Sequence, residues 1–345
     1  MSPFTKSWVG SLVLLLLLIG GWWYSSNVRD AMVQLTGATM GTTYTVKIPR
    51  LPGVIAVDTL QAEIDRILAQ INRQMSTYDP ESELSRFNRN PSTDWVPVSP
   101  ELLVVMQEAQ RVAQLTSGAF DVTVGPLVDL WGFGPTVTDD AIPSQAAIAE
   151  AQTRVGYHLL RLRYDPPALQ KTVADIEVDL SAIAKGYAVD RLAEYLETLS
   201  IADYMVEIGG ELRVKGNNVQ GDPWRIAIEK PTPNERTVER IALLTDRGIA
   251  TSGNYRNFFE RDGQRYSHAI DPTTGRPIRH ELASVSVIHP SVTLADALAT
   301  GLIVMGPDNG FQLAEQQGLA ALFIVINDGE FIEKSTSAIA PYLAD

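Results

Sequence analysis

The chain has 345 residues, a hydrophobic fraction of 45% and a formal net charge of −13. This length and apolar content are typical of a globular protein with a large core and exclude a disordered chain. The negative charge argues against a nucleic-acid-binding surface and predicts that an anionic ligand needs a metal ion or local donor groups. Cysteine is absent, which excludes disulfides, thiolate metal sites, cysteine nucleophiles and lipid attachment through cysteine.

The amino terminus carries an apolar run over residues 8–24, directly after Lys6. Its length is at the short end of the roughly 17–25 residues that span a bilayer. A cleavable signal peptide is the competing interpretation, but residues 20–31 lack a good pair of small residues for cleavage. Lys6 favours a cytoplasmic start, and the aromatic residues that end the run resemble an interfacial belt. We therefore expect residues 1–30 to be an uncleaved membrane anchor and residues 31–345 to lie outside the cytoplasm.

Hydrophobic periodicity predicts alternating strands and helices in the rest of the chain. Helices are expected from the apolar stripe that begins at Leu60 and ends near Met75, and from Pro100, behind the cap Ser99, to about Leu115. A strand over residues 176–180 is expected to run directly into a helix over 181–199. Other strands are predicted over residues 40–48, 224–228, 240–244, 283–288 and 320–326, a hairpin over 204–214 and a helix over 294–305. Because no repeat or linker follows residue 40, one compact body is expected.

A short alternating segment over residues 266–270 is followed by Asp271-Pro272 and a Thr-Thr-Gly turn. It carries His268. A histidine near a strand end, facing a polar loop, is well placed for proton transfer near neutral pH. The alternative is that His268 only hydrogen-bonds its own turn.

The predicted helix over residues 294–305 carries a carboxylate, Asp296, inside an apolar run, where a charged group needs a partner. Thr300 lies four residues later and therefore on the same helical face. Two oxygens on one face suit a hard cation such as magnesium, which keeps several waters and takes few protein ligands.

Two further signals are weak individually. The small residues around Lys185, between a predicted strand and a helix, could leave backbone N–H groups for an anion, although the glycine pattern of a Walker loop is absent. Trp131 and Phe133 lie among glycines and could clamp a planar ring or simply pack a loop. For these two aromatic residues alone, packing is the favoured interpretation.

Short motifs follow one another from residue 40 to about 306: GTTY at 41–44, MSTY at 75–78, FD at 120–121 with GPL at 125–127, DLSAIAKGY at 179–187, EIGGE at 207–211, ATSG at 250–253, YSH at 266–268 with Gly275, and ADA at 295–297 with Thr300. Together they resemble the ApbE family, the FAD:protein FMN transferases. The resemblance implies an α+β fold, a single compact ApbE-like (T-fold-like) body of mixed sheets and flanking helices. Without this resemblance, the sequence pattern indicates only a mixed α/β protein.

The resemblance also implies an envelope-exported, magnesium-dependent enzyme that moves the FMN half of FAD onto a Thr or Ser hydroxyl of a target flavoprotein and releases AMP. The suggested targets are subunits of ion-pumping NADH:quinone reductase and Rnf-type complexes. Many relatives are lipoproteins, and the lack of cysteine here affects the expected attachment, not the chemistry. The implied FAD contacts are Met40, Tyr78, Ala119, Phe120, Asp121, Asp179, Lys185 and Ile270, and the implied magnesium ligands are Asp296, Thr300 and the carbonyl of Ala182.

The residues are consistent with this chemistry. Attack on the FMN phosphorus needs charge neutralisation, in-line positioning and a base. Magnesium on Asp296 and Thr300 would supply the first two, and His268 is the candidate base. Two other functions stay open, an FAD pyrophosphatase that uses water as nucleophile and a non-catalytic envelope protein that binds FAD. The Asp296/Thr300 pair and His268 argue against a pure binder, since binding alone needs no base.

Overall fold

The computed structural model describes residues 32–134, 142–232, 237–255, 258–261 and 263–344. The helices are α1 (Val57–Met75), α2 (Glu83–Arg89), α3 (Pro100–Leu115), α4 (Gly125–Leu130), α5 (Gln145–Gln152), α6 (Ala184–Thr198) and α7 (Val292–Gln316). The strands are β1 (Val33–Thr39), β2 (Thr42–Ile48), β3 (Val96–Pro97), β4 (Leu160–Tyr164), β5 (Pro167–Lys171), β6 (Tyr204–Ile208), β7 (Glu211–Lys215), β8 (Trp224–Glu229), β9 (Val238–Leu244), β10 (Arg247–Gly253), β11 (Phe258–Arg261), β12 (Gln264–Ser267), β13 (Ile270–Asp271), β14 (Arg276–Pro277), β15 (Leu282–His289), β16 (Ala320–Asn327) and β17 (Glu330–Ser335).

A single large antiparallel sheet organises the described residues, with the strand order β1-β2-β6-β7-β10-β15-β16-β17. Helices α1, α3, α6 and α7 contribute to the main hydrophobic core with one face of the sheet. The hairpin β8–β9 shares a second, smaller core with residues of β7, β10 and β16. This arrangement is the α+β class expected from the resemblance.

Several predicted elements are confirmed. The predicted stripe from Leu60 to Met75 is buried along one face of α1. Helix α3 begins at Pro100, where the Ser99 hydroxyl accepts a hydrogen bond from the N–H of Leu102. The hairpin β6–β7 turns at two glycines with positive φ, as the sequence pattern indicates.

The strand predicted over residues 176–180 is wrong. The segment is extended, but Asn88 of α2 takes the place of a neighbouring strand: its side-chain amide donates to the carbonyl of Val178 at 2.8 Å and accepts from the N–H of Val178 at 2.9 Å. The N–H of Asp179 donates to the carbonyl of Val122 at 2.7 Å. Residues 181–183 then form a turn, so that α6 begins at Ala184 and not at 181.

Helix α7 is fixed at its amino terminus by Asp190 of α6. The Asp190 carboxylate accepts hydrogen bonds from the N–H groups of Val292 and Thr293 and from the hydroxyls of Ser291 and Thr293. A negative charge there also complements the helix dipole. The regular helix is interrupted at Gly306 (φ 85°), followed by Pro307, which agrees with the predicted helix end at 305.

The predicted membrane anchor over residues 8–24 lies outside the described residues. Within the described ranges, no helix has the length and apolar content needed to cross a bilayer.

Candidate active site

A cavity of about 870 Å³ opens where β2, β6 and β7 approach α6 and α7. This volume is within the range of small-molecule and cofactor sites. The cavity brings together residues far apart in sequence, and nearly all the predicted site residues line it. They are Tyr78, Ala119, Phe120, Asp121, Asp179, Ala182, Lys185, His268, Ile270, Asp296 and Thr300.

Met40, by contrast, lies in the turn between β1 and β2, with a positive φ of 50°. Its side chain packs against the main core and does not line the cavity. The expected FAD contact at Met40 stays a prediction.

Two buried carboxylates of the cavity, Glu211 and Asp296, lie around one ammonium group. Lys185 Nζ lies 3.0 Å from Glu211 Oε1 and 3.7 Å from Asp296 Oδ2. Burial works against the charge of Lys185, but the two carboxylates outweigh it and raise its pKa. For Glu211, burial raises the pKa to about 7, although the positive charge of Lys185 acts to lower it. The cluster therefore holds an ammonium group at the cavity wall, where a diphosphate could be bound.

Asp296 is placed by a close contact between α6 and α7. The N–H of Gly186 donates to Asp296 Oδ2 at 3.1 Å. A Cβ at Gly186 would meet the carbonyl oxygen of Val292 at 2.4 Å and Asp296 Cβ at 2.9 Å, so only glycine permits this approach. Burial raises the pKa of Asp296, although the charge of Lys185 and the hydrogen bond from the Gly186 N–H both act to lower it. A second positive charge near this carboxylate would favour its ionised form.

The oxygen donors around Asp296 suit magnesium. Asp296 and Thr300 lie one turn apart on α7, and both line the cavity together with Ala182. The Thr300 hydroxyl hydrogen-bonds the hydroxyl of Ser252 at 2.8 Å, which orients it. No group of three or more acidic, histidine or cysteine residues suited to a metal occurs in the described part of the chain. A carboxylate, a hydroxyl and a carbonyl would thus hold magnesium only if water and phosphate oxygens completed its shell.

His268 follows β12 directly and lines the cavity. Its ring lies edge-on to Phe133, with centroids 6.4 Å apart. The turn after it is held by other groups: the Asp271 carboxylate accepts from the N–H of Thr273 at 2.8 Å, and Trp131 Nε1 donates to the carbonyl of Gly275 at 2.8 Å. The turn therefore has supports of its own, and His268 lies where a ligand in the cavity would reach it.

The aromatic residues divide into packing and cavity groups. Trp131 is 1% exposed and stacks on Tyr266, so the packing interpretation holds for it. Phe133 reaches the cavity, and Phe120 contributes part of its wall although it is buried. Tyr78 is 71% exposed at the cavity. An exposed ring beside a deep cavity offers a stacking surface for a planar ligand.

Asp121 lines the cavity, but its carboxylate supports a loop. It accepts hydrogen bonds from the N–H and hydroxyl of Thr123 at 2.8 and 2.7 Å and from the N–H of Tyr157 at 2.6 Å. The side chain of Asp179 likewise accepts from the N–H of Ser181 at 2.8 Å. Both residues thus shape the cavity wall.

Asp129 of α4 has a raised pKa, to about 6, because of burial and of the nearby charges of Glu177 and Asp179. Folding therefore disfavours its ionised form, and stability falls as pH rises from the ordinary carboxyl value through about 6. We expect Asp129→Asn to stabilise the protein at pH 8 by about 1–2 kcal/mol, allowing for partial solvent screening, and hardly at all at pH 4. Urea unfolding at both pH values checks this. An equal effect at the two values would contradict it.

Glu211 belongs to the charge cluster of the site, but the sequence motifs did not predict it as a site residue. It occurs in the EIGGE motif, but only the fold brings it to Lys185. Its position just after a glycine hairpin, at the start of a strand where an apolar residue would be ordinary, is the one sequence signal that could have indicated a buried charge.

Comparison with known proteins agrees with the motifs. Residues 40–323 match the model of the ApbE family. The chain is 50% identical over 312 residues to the FAD:protein FMN transferase of Vibrio cholerae, covering 90% of this chain and 93% of that protein. It is 41% identical to the Escherichia coli K12 protein of the same name, covering 86% and 84%.

Solved structures are similar as well. Flavin transferase ApbE from Vibrio cholerae superposes with a TM-score of 0.85 at 49% identity, covering 91% of this chain and 99% of that one. The apo form of Pseudomonas stutzeri flavinyl transferase ApbE gives 0.84 at 41% identity, covering 91% and 97%. The chain belongs to the ApbE family.

Proposed function

We propose that this protein transfers the FMN moiety of FAD to a Thr or Ser hydroxyl of a target flavoprotein, with magnesium, and releases AMP. The observation that carries the proposal is the single cavity that brings Asp296, Thr300, Lys185 and His268 together. The names of the relatives support the transfer of FMN from FAD to a protein. The proposed acceptor is a subunit of an NADH:quinone reductase or Rnf-type complex.

The chain's own residues divide the work. Lys185 would bind the diphosphate of FAD, with Glu211 holding its ammonium group in place. Asp296, Thr300 and the Ala182 carbonyl would hold magnesium, which neutralises phosphate charge when it is bound. His268 would accept the proton of the incoming hydroxyl as its oxygen attacks the FMN phosphorus, and the bond to the AMP oxygen breaks.

An FAD pyrophosphatase would use the same groups with water as the nucleophile. The two activities are separated by incubating the protein with FAD, magnesium and the acceptor subunit, and measuring the intact mass of the acceptor. A covalent flavin on the acceptor supports transfer. AMP and free FMN with an unmodified acceptor would show hydrolysis, and bound but intact FAD would indicate a binding protein.

The ring system of FAD is proposed to bind beside Tyr78 and Phe120, with Tyr78 stacked on it. Removing such a contact costs about 0.5–1.5 kcal/mol beyond the buried area. We expect Tyr78→Ala to weaken FAD binding with no loss of thermal stability, because the side chain is 71% exposed. Titration of FAD against the folded variant measures the effect, with the exposed Tyr164→Ala as control. An unchanged FAD affinity would exclude Tyr78 as a ring contact.

We also propose that the protein stays attached to the inner membrane through residues 8–24, with its body in the periplasm. The apolar run without a good cleavage site is the supporting observation. N-terminal sequencing of the protein from membranes should give the first residues of the chain. A mature amino terminus between residues 21 and 32 would contradict the anchor.

A further inference from the structure

The cavity has one wall made by the edge of a strand. β8 pairs with β9 on one side only, from Trp224↔Leu244 to Glu229↔Val238. Among the described residues, no backbone hydrogen bond outside this ladder uses residues 225–228. The other edge of β8 therefore presents backbone N–H and C=O groups that are available for a further strand.

This free edge faces the cavity. Residues 226–229 all line it, although successive side chains of a strand point to opposite faces. Ile226 and Ile228 point into the small core under the hairpin, and Ala227 is exposed on the other face. Four consecutive residues can line one cavity in this way only if the backbone edge of the strand is turned toward it.

The floor beside this edge is polar and open. Tyr44 and Val46 of β2 are buried in the main core, so Thr43 and Thr45 face the side of the sheet that carries the hairpin. Glu207 of β6 is the cross-strand partner of Thr45, and all three polar residues line the cavity. Thr43 is exposed. Such a floor suits a peptide backbone with polar side chains better than an apolar helix.

We propose that the acceptor polypeptide binds as an extended strand along the free edge of β8, above Thr43, Thr45 and Glu207. This inference rests on the proposed function, because the transfer requires a hydroxyl on a polypeptide to reach a cavity that also binds FAD. Strand addition supplies affinity through main-chain hydrogen bonds and leaves alternate side chains to enter the site. One of these side chains is the Thr or Ser that receives FMN.

Hydrogen exchange of the full chain tests this directly, with the acceptor subunit of an NADH:quinone reductase, expressed without flavin, as the probe. The N–H groups of Arg225 and Ala227 point to the free edge, since the carbonyl of Ile241, the partner of Ala227, accepts from Ala344 on the far side of β9. We expect these two amides to exchange at least about tenfold more slowly with the acceptor present, because new main-chain hydrogen bonds protect them. FAD alone should leave the exchange of these amides unchanged. The amides of β17, an edge strand of the large sheet, should exchange at the same rate with and without the acceptor. Protection by FAD alone would show that FAD itself occupies this edge and would overturn the proposal.

A variant gives a second measure. Ala227→Pro blocks the edge for an added strand, since proline lacks an N–H and its ring occupies the approach. We expect the KM for the acceptor to rise about tenfold, the loss expected for one or two hydrogen bonds, with an unchanged Kd for FAD. Ser335→Pro on β17 is the matched control and should leave both constants unchanged, because Ser335 is exposed and its N–H is on the outer edge, whereas the next residue, Thr336, bonds Ala321 of β16. A thermal melt checks that the β8–β9 hairpin stays folded, and if Ala227→Pro unfolds it, the exchange experiment on the unaltered chain decides.

The outcomes separate this inference from the proposed function. The acceptor mass is measured in the same samples as hydrogen exchange. A labelled acceptor without protection of the Arg225 and Ala227 amides overturns strand addition alone. An unlabelled acceptor overturns both.

Discussion

Asp296→Ala is expected to reduce flavin transfer by at least about a hundredfold, the size of effect found when a group that stabilises transition-state charge is removed. Asp296 is 3% exposed and lies on the cavity one helical turn from Thr300. Its loss removes the only side-chain carboxylate among the proposed magnesium ligands. The phosphate charges would then be poorly neutralised. Single-turnover transfer with saturating FAD and acceptor measures the effect.

The dependence on magnesium distinguishes this role from a structural one. Because occupancy follows concentration, raising magnesium should recover part of the activity of Asp296→Ala. Asp308→Ala is the matched control, since Asp308 lies in α7 beyond the interruption at Gly306 and its side chain is 93% exposed. The control should keep full activity. Normal transfer by Asp296→Ala at ordinary magnesium would exclude the carboxylate from the site.

His268→Ala is expected to slow transfer by about 10²–10⁴-fold, the usual contribution of a general base. His268 lines the cavity, and the turn that follows it is braced by Asp271 and Trp131. FAD affinity and melting temperature should therefore change little. In contrast to Asp296→Ala, added magnesium should not restore the rate.

The alternative, that His268 only supports its turn, predicts a different set of results. Stability and FAD affinity would then fall together, and the transfer rate at saturating FAD would be nearly normal. His158→Ala removes an exposed histidine outside the cavity and is the matched control. Measuring FAD affinity, melting temperature and single-turnover transfer on one preparation of each variant decides between the two roles.

The sequence predicted the parts of the fold that depend on local signals. Three such features depend only on residues close together in sequence, and all three are confirmed. They are the apolar stripe of α1, the Ser99 cap of α3 and the glycine turn of β6–β7. The spacing of Asp296 and Thr300 likewise indicated that their side chains share one helical face, and both line the cavity.

Contacts between distant segments could not be predicted in the same way. Residues 176–180 have the composition of a strand, but the amide of Asn88 supplies the partner that a strand would have provided. Glu211 reaches Lys185 only because β7 and α6 meet at the cavity. The cap of α7 by Asp190 joins two helices across about a hundred residues. These contacts depend on the order of strands in the sheet, which hydrophobic periodicity does not specify.

The proportion of AMP released to flavin attached tests the central claim most directly. The full chain is incubated with FAD, magnesium and the flavin-free acceptor, and both products are quantified in the same samples over time. Transfer of FMN to a protein hydroxyl predicts one covalent flavin on the acceptor for each AMP, and no label on an acceptor whose modified Thr or Ser has been replaced by Val or Ala. AMP accompanied by free FMN, with the acceptor unmodified, would contradict it.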